Sequence, residues 1–480
     1  MSSNISKNIF WLTASRVVAL VFLFIAYTRL FRYLGPYFSG QYQFVLSYVL
    51  IFATVVDFGI QQFITKKISE KPENAKKYFQ DFFSFEILAS GTLYVLLVAL
   101  AYLNTYDREV FYAICVAGLG LVANALTYPY LAVMAAFQDM RKVALINFLN
   151  SVVNIAVIFT AIIFRKHIVF LAGIQLLFGL VDLVLYRVFI TKHLPKPNVL
   201  KAIFKFELKP IWEIVKQGWP FALLVGFSAI YNRIDVLLIT FLKGYEQTGF
   251  YTAAYKIFDL LGFFPSVVSY TLFPFFAGLM SKNALLEVRI NLEKYLKLMI
   301  LAAVPMAVGG SILSAKLISL IAGPEYAPAA GVLAILIWAP AILFIYIPAN
   351  ALVISQLTKK ALVVTGVNVI INTLGNLLLL PRFGIKAAAI MTVVSELIQG
   401  IFYFYFINKN ITNFSFSGLW VKPVFSAAVM GAVLWQARKY PLLFSLPLGA
   451  GIYLVMLILT GFLGKADILT MKNLFKSPQA

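Results

Sequence analysis

The chain has 480 residues, 61% of them hydrophobic and only 12% charged, with a mean hydropathy of +0.88, whereas about a quarter of a soluble domain is charged. That excludes a soluble enzyme, and at roughly 20 apolar residues per crossing there is material for about fourteen transmembrane helices. The formal charge of +21 sits in short tracts between apolar runs, so it reads as membrane orientation; a nucleic-acid partner would need one continuous basic face. Cys115 is the lone cysteine and His167 and His193 the only histidines, which leaves no disulfide framework and no expected metal centre.

In chain order, the first apolar run covers 9–30. It is longer than a signal-peptide core, contains Arg16 and ends without a small-x-small site, so it reads as a span and not as a cleavable leader. Spans two to six follow at 42–64, 82–103, 110–136, 143–164 and 168–190. In the basic connection after span six, Leu200, Ile203, Phe204 and Leu208 recur at helical spacing opposite Lys201, Lys205 and Lys209. That pattern describes a helix lying on the membrane surface against anionic headgroups; contact with a cytoplasmic partner is the alternative. Spans seven to twelve are read at 217–241, 247–278, 292–320, 328–355, 360–380 and 385–407, and the last two at 419–437 and 442–463. The expected division is therefore an N-terminal lobe 1–195, a linker 196–216, a C-terminal lobe 217–410 and an appended pair with a tail, 411–480.

With residues near a span end counted with the adjoining connection, the even-numbered connections and both tails hold about 25 of the 40 Lys and Arg and the odd-numbered ones about 10. The positive-inside rule then puts both termini in the cytoplasm of a multi-pass cell-membrane protein.

A repeat relates the halves. Gly35, Gly40 and Tyr42 after span one recur at the same spacing as Gly244, Gly249 and Tyr251 after span seven, and Arg141, Lys142, Asn150 and Asn154 correspond to Lys359, Lys360, Asn368 and Asn372. Six spans per repeat is even, so the halves share one orientation and are related by an axis along the membrane normal, with substrate expected between them.

Several motifs run in order along the chain: Leu34-Gly35-Pro36 with Phe38, Gly40 and Tyr42; Asp57-Phe58-Gly59; Gly218-Trp219-Pro220; Arg233, Asp235 and Gly249-Phe250-Tyr251; Gly323-Pro324-Glu325-Tyr326; and Asn372, Asn376, Leu380-Pro381, Phe383-Gly384-Ile385 and Glu396. In these the chain resembles the multidrug/oligosaccharidyl-lipid/polysaccharide exporter superfamily, and within it the polysaccharide branch of O-antigen-type flippases. The resemblance implies an all-α fold of two pseudo-symmetric six-helix lobes around a cavity lined by spans one, two, seven and eight, with spans thirteen and fourteen appended. It implies a flippase that moves polyprenyl-pyrophosphate-linked oligosaccharide from the cytoplasmic to the outer leaflet for cell-surface polysaccharide biosynthesis, supplying a polysaccharide polymerase or ligase. A lipid II-type flippase or a cation-coupled multidrug exporter of the same superfamily is the alternative. Drug-exporting relatives often carry a carboxylate in span one; Arg16 stands here instead and suits an anionic substrate.

A charge at the bilayer centre costs roughly 2.5 to 3.5 kcal/mol even on insertion scales, so each deep charge needs a partner, a wet cavity or a role. Counting from the turn at Gly244, Arg233 and Lys256 fall at similar depth on consecutive spans, near Asp235, Asp259, Tyr231, Tyr251 and Tyr255. Two readings stand: a closed network in which Lys256 pairs with Asp259 at i,i+3, or a phosphate site in which Arg16, Arg233 and Lys256 supply positive charge, with Tyr231 and Tyr255 stacking on sugars or merely packing. Asp182 and Arg187 in span six read as structural, and Asn368, Asn372 and Asn376 as interhelical hydrogen bonding. No cofactor is expected. Coupling to a proton or sodium gradient is, with Asp57, Asp235, Asp259 and Glu396 as candidate carboxylates.

A membrane glycosyltransferase or polymerase is the rival class. The closely spaced acidic pair Asp107 and Glu109 on the outer side lies in a short connection, too small for a catalytic domain. Gly464-Lys465 lacks the earlier glycine and the following Ser or Thr of a P-loop.

Overall fold

The computed structural model describes residues 2–57, 60–104, 106–194, 216, 226–227, 231, 233–414 and 417–463, and among these every regular element is helical. The first helix, α1 (Ser2–Asp57), breaks at Gly35, whose φ of 68° and ψ of 174° are followed by Pro36. A side chain would strain that φ, and proline has no N–H to continue the ladder. After it come α2 (Ile60–Glu70), α3 (Ala75–Leu103), α4 (Arg108–Ala125), α5 (Tyr128–Ala136), α6 (Met140–Ile163) and α7 (Ile168–Ile190). Helical residues 233–243 turn at Gly244, φ 84°, into α8 (Tyr245–Ser281). Then follow α9 (Leu285–Ile312), α10 (Ser314–Ile321), α11 (Ala329–Leu336), α12 (Trp338–Gln356), α13 (Thr358–Phe383), α14 (Ile385–Asn410), α15 (Ser417–Ala437) and α16 (Leu442–Leu459).

Twelve stretches of the described residues are long and apolar enough to cross a membrane. Spans one and two run together as Phe24–Glu70 through the Gly35 break, and most of span seven, with Gly218-Trp219-Pro220, lies outside the described residues; those two differences separate twelve from the expected fourteen. The linker 196–216 apart from Lys216, Phe58-Gly59, the tail from Gly464 and the side chains of Arg16 and Asp57 also lie outside them. Large apolar side chains remain open on many helices, Leu378 at 72% and Leu443 at 91% exposure, as hydrocarbon-facing surfaces do.

The chain forms two compact units, Met1–Thr252 and Ala253–Ala480. The division falls inside α8, and residues 233–252 pack against α1: the Phe44 ring meets Phe241 and Tyr245, each at 5.8 Å between centroids. In the first unit α4 and α7 cross on small residues. A Cβ at Gly120 would come within 2.6 Å of the Gln175 carbonyl carbon and one at Gly179 within 2.5 Å of Ala123 Cβ, while Asn124 Nδ2 donates to the carbonyls of Gly120 at 2.8 Å and Gln175 at 3.3 Å. Close backbone approach through small residues is how helices associate where lipid offers no hydrophobic drive. In the second unit the appended pair α15 and α16 packs Met430, Leu434, Tyr453 and Leu457 with Val304 and Val308 of α9.

The connection between α5 and α6 is tied to the end of α7. Asp139 Oδ2 lies 2.9 Å from Lys142 Nζ and 3.1 Å from His193 Nε2, and the His193 ring stacks on Phe137 at 4.8 Å. Burial pushes the Asp139 carboxyl up, but the hydrogen bonds and charges of Lys142 and His193 outweigh it and hold the group below its ordinary value. A depressed carboxylate contributes stability that is present above its unfolded-state pKa and is lost as pH falls through the lowered one. The thermal midpoint of Asp139→Asn is therefore expected below wild type at pH 7, with the two converging as pH drops below the ordinary carboxylate range; a gap that persists undiminished in acid would show that the carboxylate's charge is not the cause.

Candidate functional site

Asp235 is 3% exposed, accepts a hydrogen bond from the Tyr251 hydroxyl and one of 2.9 Å from the Val236 N–H, and feels the charge of the half-buried Arg233. Lys256 Nζ stands 3.4 Å from Asp259 Oδ2, with both side chains partly buried. The i,i+3 pair anticipated from spacing is thus formed on α8, and it does not consume Asp235, which belongs to the first unit. Tyr255 is 4% exposed and its ring lies 4.8 Å from Phe258. The Tyr255 ring is thus covered in this conformation, whereas Tyr231 is half-buried.

The second unit holds a buried polar seam between α13 and α14. Asn368 Nδ2 donates to the Ser395 carbonyl at 2.8 Å and to Gln399 Oε1 at 3.1 Å, Asn372 to Ser395 Oγ at 3.1 Å and Asn376 to Asn372 Oδ1 at 3.0 Å. One turn away Glu396, 3% exposed, accepts from the Tyr346 hydroxyl at 2.5 Å. The first unit has a counterpart, since Asn150 Nδ2 reaches both oxygens of Asp182 at 2.9 and 3.1 Å. The partners are 32 residues apart in one repeat and 31 in the other, so the repeat extends to these bridges, with a carboxylate where the second half has an amide. Arg187 is exposed.

One deep acid escaped the sequence reading. Glu86 of α3 is fully buried near the start of an apolar run, where a carboxylate passes for a boundary residue; its signal was the cluster of Phe79, Phe82, Phe83 and Phe85 just before it. Among the described residues no three His, Cys, Asp or Glu side chains gather to hold a metal ion.

The paired glycine motifs meet. A Cβ at Gly40 would fall within 2.7 Å of the Tyr245 carbonyl carbon and 2.9 Å of the Gly249 nitrogen; one at Gly249 would fall within 2.7 Å of the Pro36 carbonyl carbon. Each glycine therefore packs on the residue that follows the other repeat's positive-φ glycine. Thr240 and Thr248 join hydroxyls at 2.8 Å beside this crossing.

The sequence profile described as polysaccharide biosynthesis protein matches residues 5–280. The chain is 25% identical over 314 residues to an uncharacterized membrane protein of Methanocaldococcus jannaschii, covering 63% of this chain and 62% of that one. It is 23% identical over 235 residues to the probable flippase AglR of Haloferax volcanii, covering 48% of each. The match thus spans less than two thirds of either curated relative. Among solved structures, the lipid II flippase MurJ in an inward closed conformation superposes with a TM-score of 0.74 at 14% identity, covering 93% of this chain and 97% of that one, which is a likeness of fold.

Proposed function

The chain belongs to the polysaccharide biosynthesis protein family, and from that premise we propose that it is a flippase carrying polyprenyl-pyrophosphate-linked oligosaccharide from the cytoplasmic to the outer leaflet by alternating access. The observation that carries this reading is the retention of fixed charge on otherwise apolar helices, Arg233 beside Asp235 and Lys256 beside Asp259. A diphosphate crossing an apolar slab loses hydration, and preplaced cations replace part of it. The probable flippase among the relatives supports the same class. Both termini lie in the cytoplasm, the protein sits in the cell membrane, and a polysaccharide polymerase or ligase consumes the delivered glycan. Coupling runs through an embedded carboxylate, with Glu396 and Asp57 the candidates, that binds a proton or sodium ion in one conformation.

The test is reconstitution. Purified protein in vesicles is expected to move a fluorescent polyprenyl-pyrophosphate-linked oligosaccharide between leaflets at least about tenfold faster than empty vesicles, a barrier change of about 1.4 kcal/mol, and to leave cationic dyes where they were added. Movement of dyes with the glycolipid left in place would assign it to drug export, and preference for lipid II would narrow the glycan to a peptidoglycan precursor.

A further inference from the structure

The odd-numbered connections of the first unit gather at one end. The Gly35 turn, the α3–α4 connection and the α6–α7 connection touch there: the Phe38 ring is 6.0 Å from His167, and Tyr33 donates to the Lys166 carbonyl at 3.1 Å. Tyr37 and Phe38 are 45% and 38% exposed, set edge to face at 5.5 Å. Exposed aromatics at such a level are commonly interfacial anchors, but an anchor has no use for what lies beside these. The side chain of Asp107, at the N-cap of α4, makes no capping bond to its own helix. Its Oδ2 instead accepts from the Tyr37 hydroxyl at 3.4 Å and from Gln41 Nε2 at 3.3 Å, which leaves Oδ1 for another donor.

Two further polar atoms are stranded, one on Gln41 and one on Tyr106, the residue before Asp107, whose ring packs against Phe44 and Phe241. Gln41 is 3% exposed, and with its nitrogen committed to Asp107 its Oε1 has no hydrogen-bond partner among the described residues. The buried Tyr106 hydroxyl has none either. Buried polar groups are nearly always paired, so these atoms are suited to a state in which a ligand reaches them. A carboxylate, an amide carbonyl and a phenol beside two partly exposed aromatic rings complement a pyranose ring, whose hydroxyls donate and whose C–H face stacks.

We propose that Tyr37, Gln41, Tyr106 and Asp107 form a carbohydrate-binding rim at this end of the first unit. The rim takes the glycan portion of the lipid-linked substrate, and in that respect rests on the function proposed above. By the positive-inside reading this end is extracytoplasmic, so the rim receives sugar on the exit side and discriminates among glycans by their hydroxyl pattern, apart from the charges that meet the diphosphate.

The experiment uses the full chain in lipid nanodiscs and, as probe, oligosaccharide released by mild acid from the lipid-linked glycans of the source cells, followed by saturation-transfer NMR. Wild type is expected to bind it. Tyr37→Ala, Asp107→Asn and Tyr106→Phe are each expected to weaken binding about tenfold or more with an unchanged thermal transition; Tyr106→Phe is the discriminating variant because it keeps the ring and removes only the stranded hydroxyl. Gly91→Ala, on α3 with nothing within 4 Å of a new Cβ, should bind as wild type. Failure of wild type to bind the glycan, or unchanged binding by all three variants, overturns the rim. Loss of membrane anchoring in Tyr37→Ala with glycan binding intact would identify the aromatics as interfacial anchors and overturn it as well. Glycan binding that depends on these residues, in a protein that moves no glycolipid, would keep the rim and refute the flippase.

Discussion

Alanine at both Gly40 and Gly249 is expected to slow transport by about tenfold or more while leaving the protein inserted and folded. A methyl at either position collides with backbone of the opposing turn, with Tyr245 in one case and Pro36 in the other. Backbone cannot rotate out of the way as a flexible side chain can, so the two turns must separate. If α1 and the start of α8 part and rejoin during each cycle, the variant is biased toward the parted state. Labelling reports this independently of flux. Thr248 is fully buried beside the crossing, so in a Cys115→Ser background a Thr248→Cys thiol should react with a membrane-impermeant maleimide several-fold faster when Gly40 and Gly249 are alanine. Unaltered flux and unaltered labelling would mean that the crossing never opens and serves only as a structural joint.

That crossing marks how far the sequence could be read. Recurrence of glycine, glycine and tyrosine at one spacing declared a repeat, because a positive φ and a close approach both demand glycine and so leave a mark in one dimension. The mark does not say that each turn packs on the other, since that depends on how two helices some two hundred residues apart are brought together. The spans were legible for a similar reason: hydrocarbon imposes a length and an apolar composition on every crossing. The pair of Lys256 and Asp259 was legible because i,i+3 spacing on one helix fixes proximity. Asp107 with Tyr37 and Gln41, and Asn150 with Asp182, were not. Each joins different helices across 32 to 70 residues, and polar residues that meet only through packing carry no periodic signature. Glu86 was hidden by its place near a span boundary, where sequence cannot distinguish a solvated carboxylate from a buried one.

Arg233 and Lys256 carry the other large expected effect, and their partners make it separable from stability. Lys256→Ala removes a cation 3.4 Å from Asp259 and is expected to reduce flux by about a hundredfold, near 2.7 kcal/mol in barrier; Lys256→Arg should retain most of it. Removing one member of a half-buried pair also takes a charge partner from the other, so the single variant alone does not decide between a substrate contact and an ion pair. The double variant Lys256→Ala, Asp259→Ala does. If lysine serves only to neutralise Asp259, deleting both restores transport; if it meets the diphosphate, flux stays low although thermal stability recovers. Arg233 calls for a different contrast, because Asp235 is already held by the Tyr251 hydroxyl and the Val236 N–H and does not depend on the guanidinium alone. Arg233→Lys keeps the charge but loses the planar fork that grips two phosphate oxygens. It is therefore expected to fold as wild type and to transport about tenfold more slowly, with Arg233→Ala slower still. Full flux in Arg233→Ala, together with rescue in the Lys256 and Asp259 double variant, would mean that neither cation meets the substrate and that the diphosphate is carried elsewhere along the helices.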